Sequence, residues 1–308
     1  MAQSFGWIGH HEVKRVIVVE GVIENTEPLR IGVGKGVALE SPTDLEVLKV
    51  YDVKSDRFVP VVPGSSWKGV FRSSAVAIAR SLGLTNVCDG VPGAVHPYPT
   101  TREKSRFIDD WKKRSANEKI HKVIEGEVDL CLLCLIFGSP ALYSHVIFYD
   151  SLPVNEYRLS YRTGIAIDRR TGAARRGALY TVEYVEPGAK FSFKFEATNL
   201  PNYAVGLLAQ VIMDIATGFV KIGGLKSRGF GAIKFLDLKV KVFDRKVGSF
   251  VERGVIEALD SIDKPVEFVG DWRRDLESFR KVFLDVLPVL KKVNDSGWRW
   301  GVVFAETK

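Results

Sequence analysis

Cys131 and Cys134 stand in a Cys-x-x-Cys, and Cys88 is the third cysteine of the chain. Thiolates at that spacing are the donors a Zn²⁺ ion uses, and the ion takes four tetrahedral ligands. Cys88 supplies a third thiolate. His96 or His121 could supply the fourth donor, His96 lying nearer Cys88 in sequence. Three cysteines cannot build a disulfide framework, so the set reads as a metal site in a reducing compartment. The competing reading makes Cys131 and Cys134 core residues of an apolar strand, Leu130 to Phe137.

Two cationic turns offer a different chemistry. Pro63-Gly-Ser-Ser-Trp-Lys-Gly-Val-Phe-Arg72 is a turn that supplies an N-cap serine and opens a helix. Free backbone N–H groups and Lys68 would gather at its positive end, where phosphate binds readily. The plain alternative is a well-capped helix. Gly223-Gly-Leu-Lys-Ser-Arg-Gly-Phe-Gly231 is the second turn. Its glycines permit close approach to a phosphate, which Lys226 and Arg228 would neutralise beside Ser227.

The elements that must position these turns follow from periodicity. Val13 to Ile23 reads as a buried strand, and Val70, Phe71, Ala75, Ile78, Ala79 and Leu82 mark one helix face that Gly83 ends. Ser144 to Tyr149 reads as a strand. Further strands run over Leu179 to Val185 and Phe191 to Phe195, the last alternating Phe with Ser and Lys. Asn202 to Gly218 is a second helix, and Gly229 to Phe243 a last strand whose phase change predicts a bulge near Phe235. The order strand, helix, strand, strand, helix, strand is that of an α+β, ferredoxin-like (RRM-like) βαββαβ unit. Residues 84 to 130 interrupt it as an insertion. Beyond about 245 one more helix is expected around Leu276 to Leu290.

The net charge of +7, with a pI near 9.2, favours an anionic partner. Its distribution is more telling: Arg158, Arg162, Arg169, Arg170, Arg175 and Arg176 crowd one segment, and Lys221, Lys226 and Arg228 another. No apolar run approaches the ~20 residues of a membrane span, and no signal peptide is evident, so a cytoplasmic location without membrane contact is expected.

The order Leu29-Arg-Ile-Gly32, Pro63-Gly-Ser-Ser-Trp-Lys-Gly69 with Arg72, Phe137-Gly-Ser139 and Gly224-Leu-Lys-Ser-Arg-Gly-Phe-Gly231 resembles the RAMP (repeat-associated mysterious protein) superfamily. Cys131-x-x-Cys134 before Phe137-Gly138, and Gly164-Ile-Ala-Ile-Asp-Arg-Arg-Thr-Gly172, resemble more narrowly the repeated backbone subunit of type III (Csm/Cmr-type) CRISPR effector complexes. The resemblance covers about residues 13 to 242.

It implies a palm split between residues 1–83 and 141–244, a zinc-binding insertion over 84–140, a thumb hairpin at about 160–180, and a C-terminal extension over 245–308. Copies of such a subunit would stack along the CRISPR RNA, beside other RAMP subunits and the large subunit, with target RNA paired to the guide. Arg30, Lys35, Ser65, Ser66, Lys68, Arg72, Lys226, Ser227 and Arg228 would hold the guide, joined by Arg162, Arg169 and Arg170 of the thumb. Ile165 and Ile167 would press on bases. In active members an aspartate on the loop after the first strand cuts target RNA with Mg²⁺ or Mn²⁺. Among the loop acids Glu40, Asp44, Glu46 and Asp52, Asp44 fits the family pattern best. The sequence departs from that pattern where Arg30 replaces the usual His and Leu-Glu follows Asp44. A non-catalytic backbone or capping subunit, and a stand-alone CRISPR RNA-processing endoribonuclease, stay open as alternatives.

Overall fold

The computed structural model describes residues 6–32, 45–90, 109–124, 128, 130–245, 248–251 and 253–301. The chain is mixed α+β. Its strands are β1 (Arg15–Asn25), β2 (Lys49–Asp52), β3 (Arg57–Pro60), β4 (Val146–Phe148), β5 (Leu159–Ile167), β6 (Ala174–Val185), β7 (Lys190–Thr198), β8 (Ile233–Asp244), β9 (Ser249–Val251), β10 (Gly254–Ile256) and β11 (Val266–Phe268). Its helices are α1 (Gly64–Ser81), α2 (Ala116–Ile124), α3 (Leu132–Phe137), α4 (Asn202–Ala216) and α5 (Trp272–Asp295). Among the described residues no helix is long and apolar enough to cross a membrane.

The main sheet is antiparallel, in the order β4-β7-β1-β8-β9. Alternation decides its faces. Ile17, Val19 and Ile23 of β1 and Phe191, Phe193 and Phe195 of β7 are almost fully buried on one side. There α1 lays Trp67 against Phe193, 4.9 Å between centroids, and Phe71 against Phe195, 5.7 Å. The expected bulge is present: Val22 pairs with Asp237 but Ile23 with Phe235, which leaves Leu236 without a partner in the ladder. Gly21 belongs to the same irregularity, since a Cβ there would meet the Asp237 carbonyl oxygen at 1.7 Å.

Helix α1 starts one way and was expected to start another. Pro63, not a serine, is its N-cap, and no side chain of that residue caps it. The Gly64 N–H instead donates to Asp150 Oδ1 at 2.7 Å, so a carboxylate from beyond β4 meets the helix start. A charged partner across the turn replaces the hydroxyl that local sequence suggested.

The C-terminal extension is part of the core. It adds β9 to the sheet edge, a β10–β11 hairpin, and α5, whose Leu276, Phe279, Phe283 and Leu290 are buried where α5 packs on α4. Trp300 donates its indole N–H to Leu130 O at 3.0 Å, tying the chain end to the insertion. The loop before β11 also caps α4. Asp263 accepts from Asn202 N at 3.0 Å and Tyr203 N at 3.3 Å, while Asp260 Oδ2 accepts from Trp7 Nε1 at 2.8 Å and Tyr203 OH at 3.0 Å.

This loop has a pH consequence. Burial, then the charge of Asp263, push the Asp260 carboxyl up to about 7. An unfolded aspartate titrates near ~3.9, so Asp260 favours the fold at low pH, and that contribution is lost as pH rises from about 4 through 7. His145 runs the other way: burial, then His10, push it down to about 4, so its contribution is lost as pH falls below ~6.5. The two slopes oppose each other in the native chain. Asp260→Asn should remove one of them, so urea unfolding from pH 4.5 to 7 should rise more steeply with pH in the variant, by at most ~1.4 kcal/mol per unit. Parallel curves would refute a buried, proton-binding Asp260.

Candidate nucleic-acid interface and metal centre

The first and last glycine motifs touch through their backbones. Gly224 N donates to Arg30 O at 2.9 Å, and Gly231 N to Pro28 O at 3.0 Å. Gly223 has φ +76, and a Cβ there would lie 2.4 Å from Arg30 O, so the contact needs a glycine. Glu27 fixes the root of the loop, taking Lys221 Nζ at 2.7 and 2.8 Å and Ala232 N at 3.2 Å. Between these anchors Lys226, Ser227 and Arg228 form one exposed 3₁₀ turn.

The β5–β6 hairpin joins the same place. Its two strands form a sheet of their own. At the tip Asp168 Oδ1 accepts from Arg170 N at 2.8 Å and Thr171 N at 3.1 Å, and Gly172 takes φ +66, leaving Arg169 and Arg170 exposed. The side chains of Arg175 and Arg176 lie outside the described residues. Tyr180 lies across Gly164, where a Cβ would sit 2.2 Å from its ring. Its hydroxyl accepts from Arg228, whose guanidinium is 5.9 Å from the ring centroid. Arg162 stands 5.1 Å from the Phe230 centroid and 5.5 Å from that of Tyr184. Hairpin base and glycine loop are thus interleaved by cation–π contacts.

The end of the loop after β1 meets this junction. Leu45 N donates to Thr181 O at 3.2 Å, and Glu183 N to Leu45 O at 2.9 Å. Buried Glu183 also accepts from Val47 N at 3.0 Å and Lys49 Nζ at 2.7 Å. Lys35, Glu40 and Asp44 lie outside the described residues. Asp52 is taken up in a turn, accepting from Ser55 Oγ at 2.6 Å and from the Lys54 and Ser55 amides, which lowers its pKa.

Charge pairing separates two surfaces. On the open face of the main sheet Lys194, Lys234 and Lys241 are each matched to a glutamate, at 2.7, 2.9 and 2.6 Å. Among the described residues Arg30, Lys68, Arg162, Arg169, Arg170, Lys226 and Arg228 have no carboxylate within ion-pair distance. Partial burial pushes Lys226 down, and burial followed by the Arg72 charge pushes Lys68 down.

The thiols form a second group. Cys88 Sγ lies 3.6 Å from Cys131 Sγ and 2.9 Å from Cys134 Sγ, and all three residues are buried. Their ligand atoms lie within 4.8 Å of one another. Tetrahedral zinc with ~2.3 Å bonds sets sulfurs about 3.8 Å apart, so the three fit a metal such as zinc. Cys134 sits in α3 and Cys131 at its N-cap, so this segment is a buried helix rather than a strand. His121 is exposed on α2 and outside the cluster, and His96 lies outside the described residues. Arg72 turns inward: its Nη1 donates to Gly138 O at 3.1 Å and its Nη2 reaches Cys88 Sγ at 3.6 Å. Ser65 stays exposed, and Ser66 and Lys68 are half-buried.

The RAMP superfamily model matches residues 22–234, well over half of the chain, from the end of β1 through the glycine loop into β8. The chain belongs to the RAMP superfamily. Among solved structures it is similar to a chain in the cryo-EM structure of the Type III-B Cmr-beta bound to cognate target RNA, at 15% identity and a TM-score of 0.45. That likeness covers 74% of this chain and 61% of the other. No curated protein sequence matches.

Within this RAMP chain sequence reading finds Arg162, Arg228 and the glycine turn that holds Phe230, but not Tyr180, Tyr184 or Glu183, nor the contacts that join them. Tyr180, Tyr184 and Phe230 carried the only available signal, aromatics interleaved with arginines. Glu183 looks like any solvent-facing residue of a strand, and only the fold buries it.

Proposed function

We propose that this RAMP protein is a guide-RNA-binding backbone subunit of a type III CRISPR effector complex. The observation that carries the reading is electrostatic. Among the described residues Arg162, Lys226 and Arg228 are exposed at one junction with no carboxylate at ion-pair distance, while Lys194, Lys234 and Lys241 of the open sheet face are each matched to a glutamate. A phosphate chain is drawn to the first surface and gains little on the second. Taking β8-β1-β7-β4 as a ferredoxin-like palm, the β5–β6 hairpin serves as the thumb and 84–140 as the insertion. Arg30, Lys35, Ser65, Ser66 and Lys68 complete the guide contacts, Arg169 and Arg170 reach phosphates from the hairpin tip, and exposed Ile165 and Ile167 press on bases. Partners are the CRISPR RNA, its target RNA, further copies and the other subunits.

Cleavage is assigned to Asp44, on the loop whose end Leu45 pins to the hairpin. A bound Mg²⁺ or Mn²⁺ would supply charge stabilisation for attack by the RNA 2′-OH. Asp44→Ala in the complex assembled on guide RNA should leave assembly and target binding unchanged and abolish regularly spaced target cuts. Undiminished cutting would remove Asp44 from the chemistry, and a target left intact by the unsubstituted complex would make this a non-catalytic backbone subunit.

A further inference from the structure

Arg72 belongs to the helix-start motif, yet its guanidinium is directed into the protein. Nη1 is held by the Gly138 carbonyl that ends α3, and Nη2 faces the Cys88 sulfur. Its Nε is buried without a hydrogen-bond partner among the described residues. Gly90 covers the group: a Cβ there would lie 2.3 Å from that Nε. Among the described residues no carboxylate stands within ion-pair distance of Arg72.

A guanidinium carries a charge that is costly to bury unpaired, and among the described residues only a metal-bound thiolate cluster would supply Arg72 with a counter-charge. Three thiolates on a divalent ion carry a net charge of −1. One arginine then balances the centre, and a sulfur bearing negative charge becomes a good acceptor for Nη2. The same contact orients Cys88, which comes from a loop, toward Cys131 and Cys134 of the α3 segment.

We infer that Arg72 is a positioning residue for a divalent-metal centre built on Cys88, Cys131 and Cys134, compensating its charge instead of contacting RNA phosphate. The inference rests on the metal reading of the three thiols. It also links the helix that starts at Pro63 to the insertion, so loss of metal would release one end of the Arg72 contact.

The test uses the full chain and zinc alone as the probe. Metal content, chelator competition and the thiolate-to-metal absorption of the Co²⁺-substituted protein are measured for the native chain, Arg72→Gln and Arg72→Lys. The expected result is one tightly held zinc in the native chain, a loss of affinity of about 10–100-fold in Arg72→Gln, and a smaller loss in Arg72→Lys, which keeps the charge. With zinc saturating, Arg72→Gln should bind a guide-length RNA as the native chain does. Zinc held equally well by Arg72→Gln would overturn the role of Arg72. A native chain without zinc would overturn the metal reading beneath it. Weaker RNA binding at unchanged zinc content would return Arg72 to phosphate contact. Should Arg72→Gln fail to fold, excess zinc decides: recovery supports lost metal affinity, and no recovery means that Arg72 only packs.

Discussion

Replacing Arg162, Lys226 and Arg228 together by alanine should weaken binding of a single-stranded guide-length RNA about 100-fold at low salt, a loss of ~2.7 kcal/mol. Each lost phosphate contact also removes ~0.7 from the slope of log affinity against log salt, so the slope should become shallower by about 2. Part of the affinity loss comes from positioning, because Arg162 and Arg228 are also the cations that tie the hairpin base to the glycine loop through Tyr184, Phe230 and Tyr180. The informative control removes the same formal charge elsewhere. Lys194, Lys234 and Lys241 replaced by alanine should change affinity less than about threefold, because each is already matched to Glu196, Glu24 or Glu20. Equal losses in the two triple variants would mean that binding follows net charge, and the junction would lose its standing as the RNA surface.

That contrast also explains what the sequence disclosed. Residue types and local order identified both glycine turns, the Cys-x-x-Cys, the phenylalanine ladder of β7 and even the bulge opposite Ile23, because each has a short-range cause in glycine freedom or period-two burial. Pairing is not a short-range property. A lysine on β8 reads the same in sequence as one on the glycine loop, and only strand register puts Glu20 beside Lys241. The inward turn of Arg72 was hidden for the same reason, since Gly138 and Cys88 reach it through tertiary packing. The extension beyond 245 was the least legible part. Its helix was expected, but its place over α4 is set by Phe279 and Phe283 meeting a surface far away in sequence.

Two glycines in helices test that placement, and their expected effects have opposite signs. Helix propensity alone favours alanine over glycine by up to ~1 kcal/mol at either Gly69 or Gly206. At Gly69, on the exposed side of α1, an added Cβ meets nothing within 4 Å among the described residues, so Gly69→Ala should stabilise the chain by up to that amount. At Gly206 the same atom would lie 2.2 Å from the Phe279 carbonyl oxygen and 2.8 Å from the Phe283 Cβ, neither of which is the end of a flexible side chain. Helices α4 and α5 would have to separate, at a cost of about 1–3 kcal/mol or more that outweighs the gain in propensity. Gly206→Ala should therefore lower the urea midpoint while Gly69→Ala raises it. If both variants gained stability, α5 could not be seated on α4 as described, and the extension would have to be treated as separate from the core. Gly69→Ala carries a second readout because it follows Lys68 in the helix-start motif. A variant that is more stable yet binds RNA less well would show that this glycine is kept for the approach of a phosphate rather than for the fold.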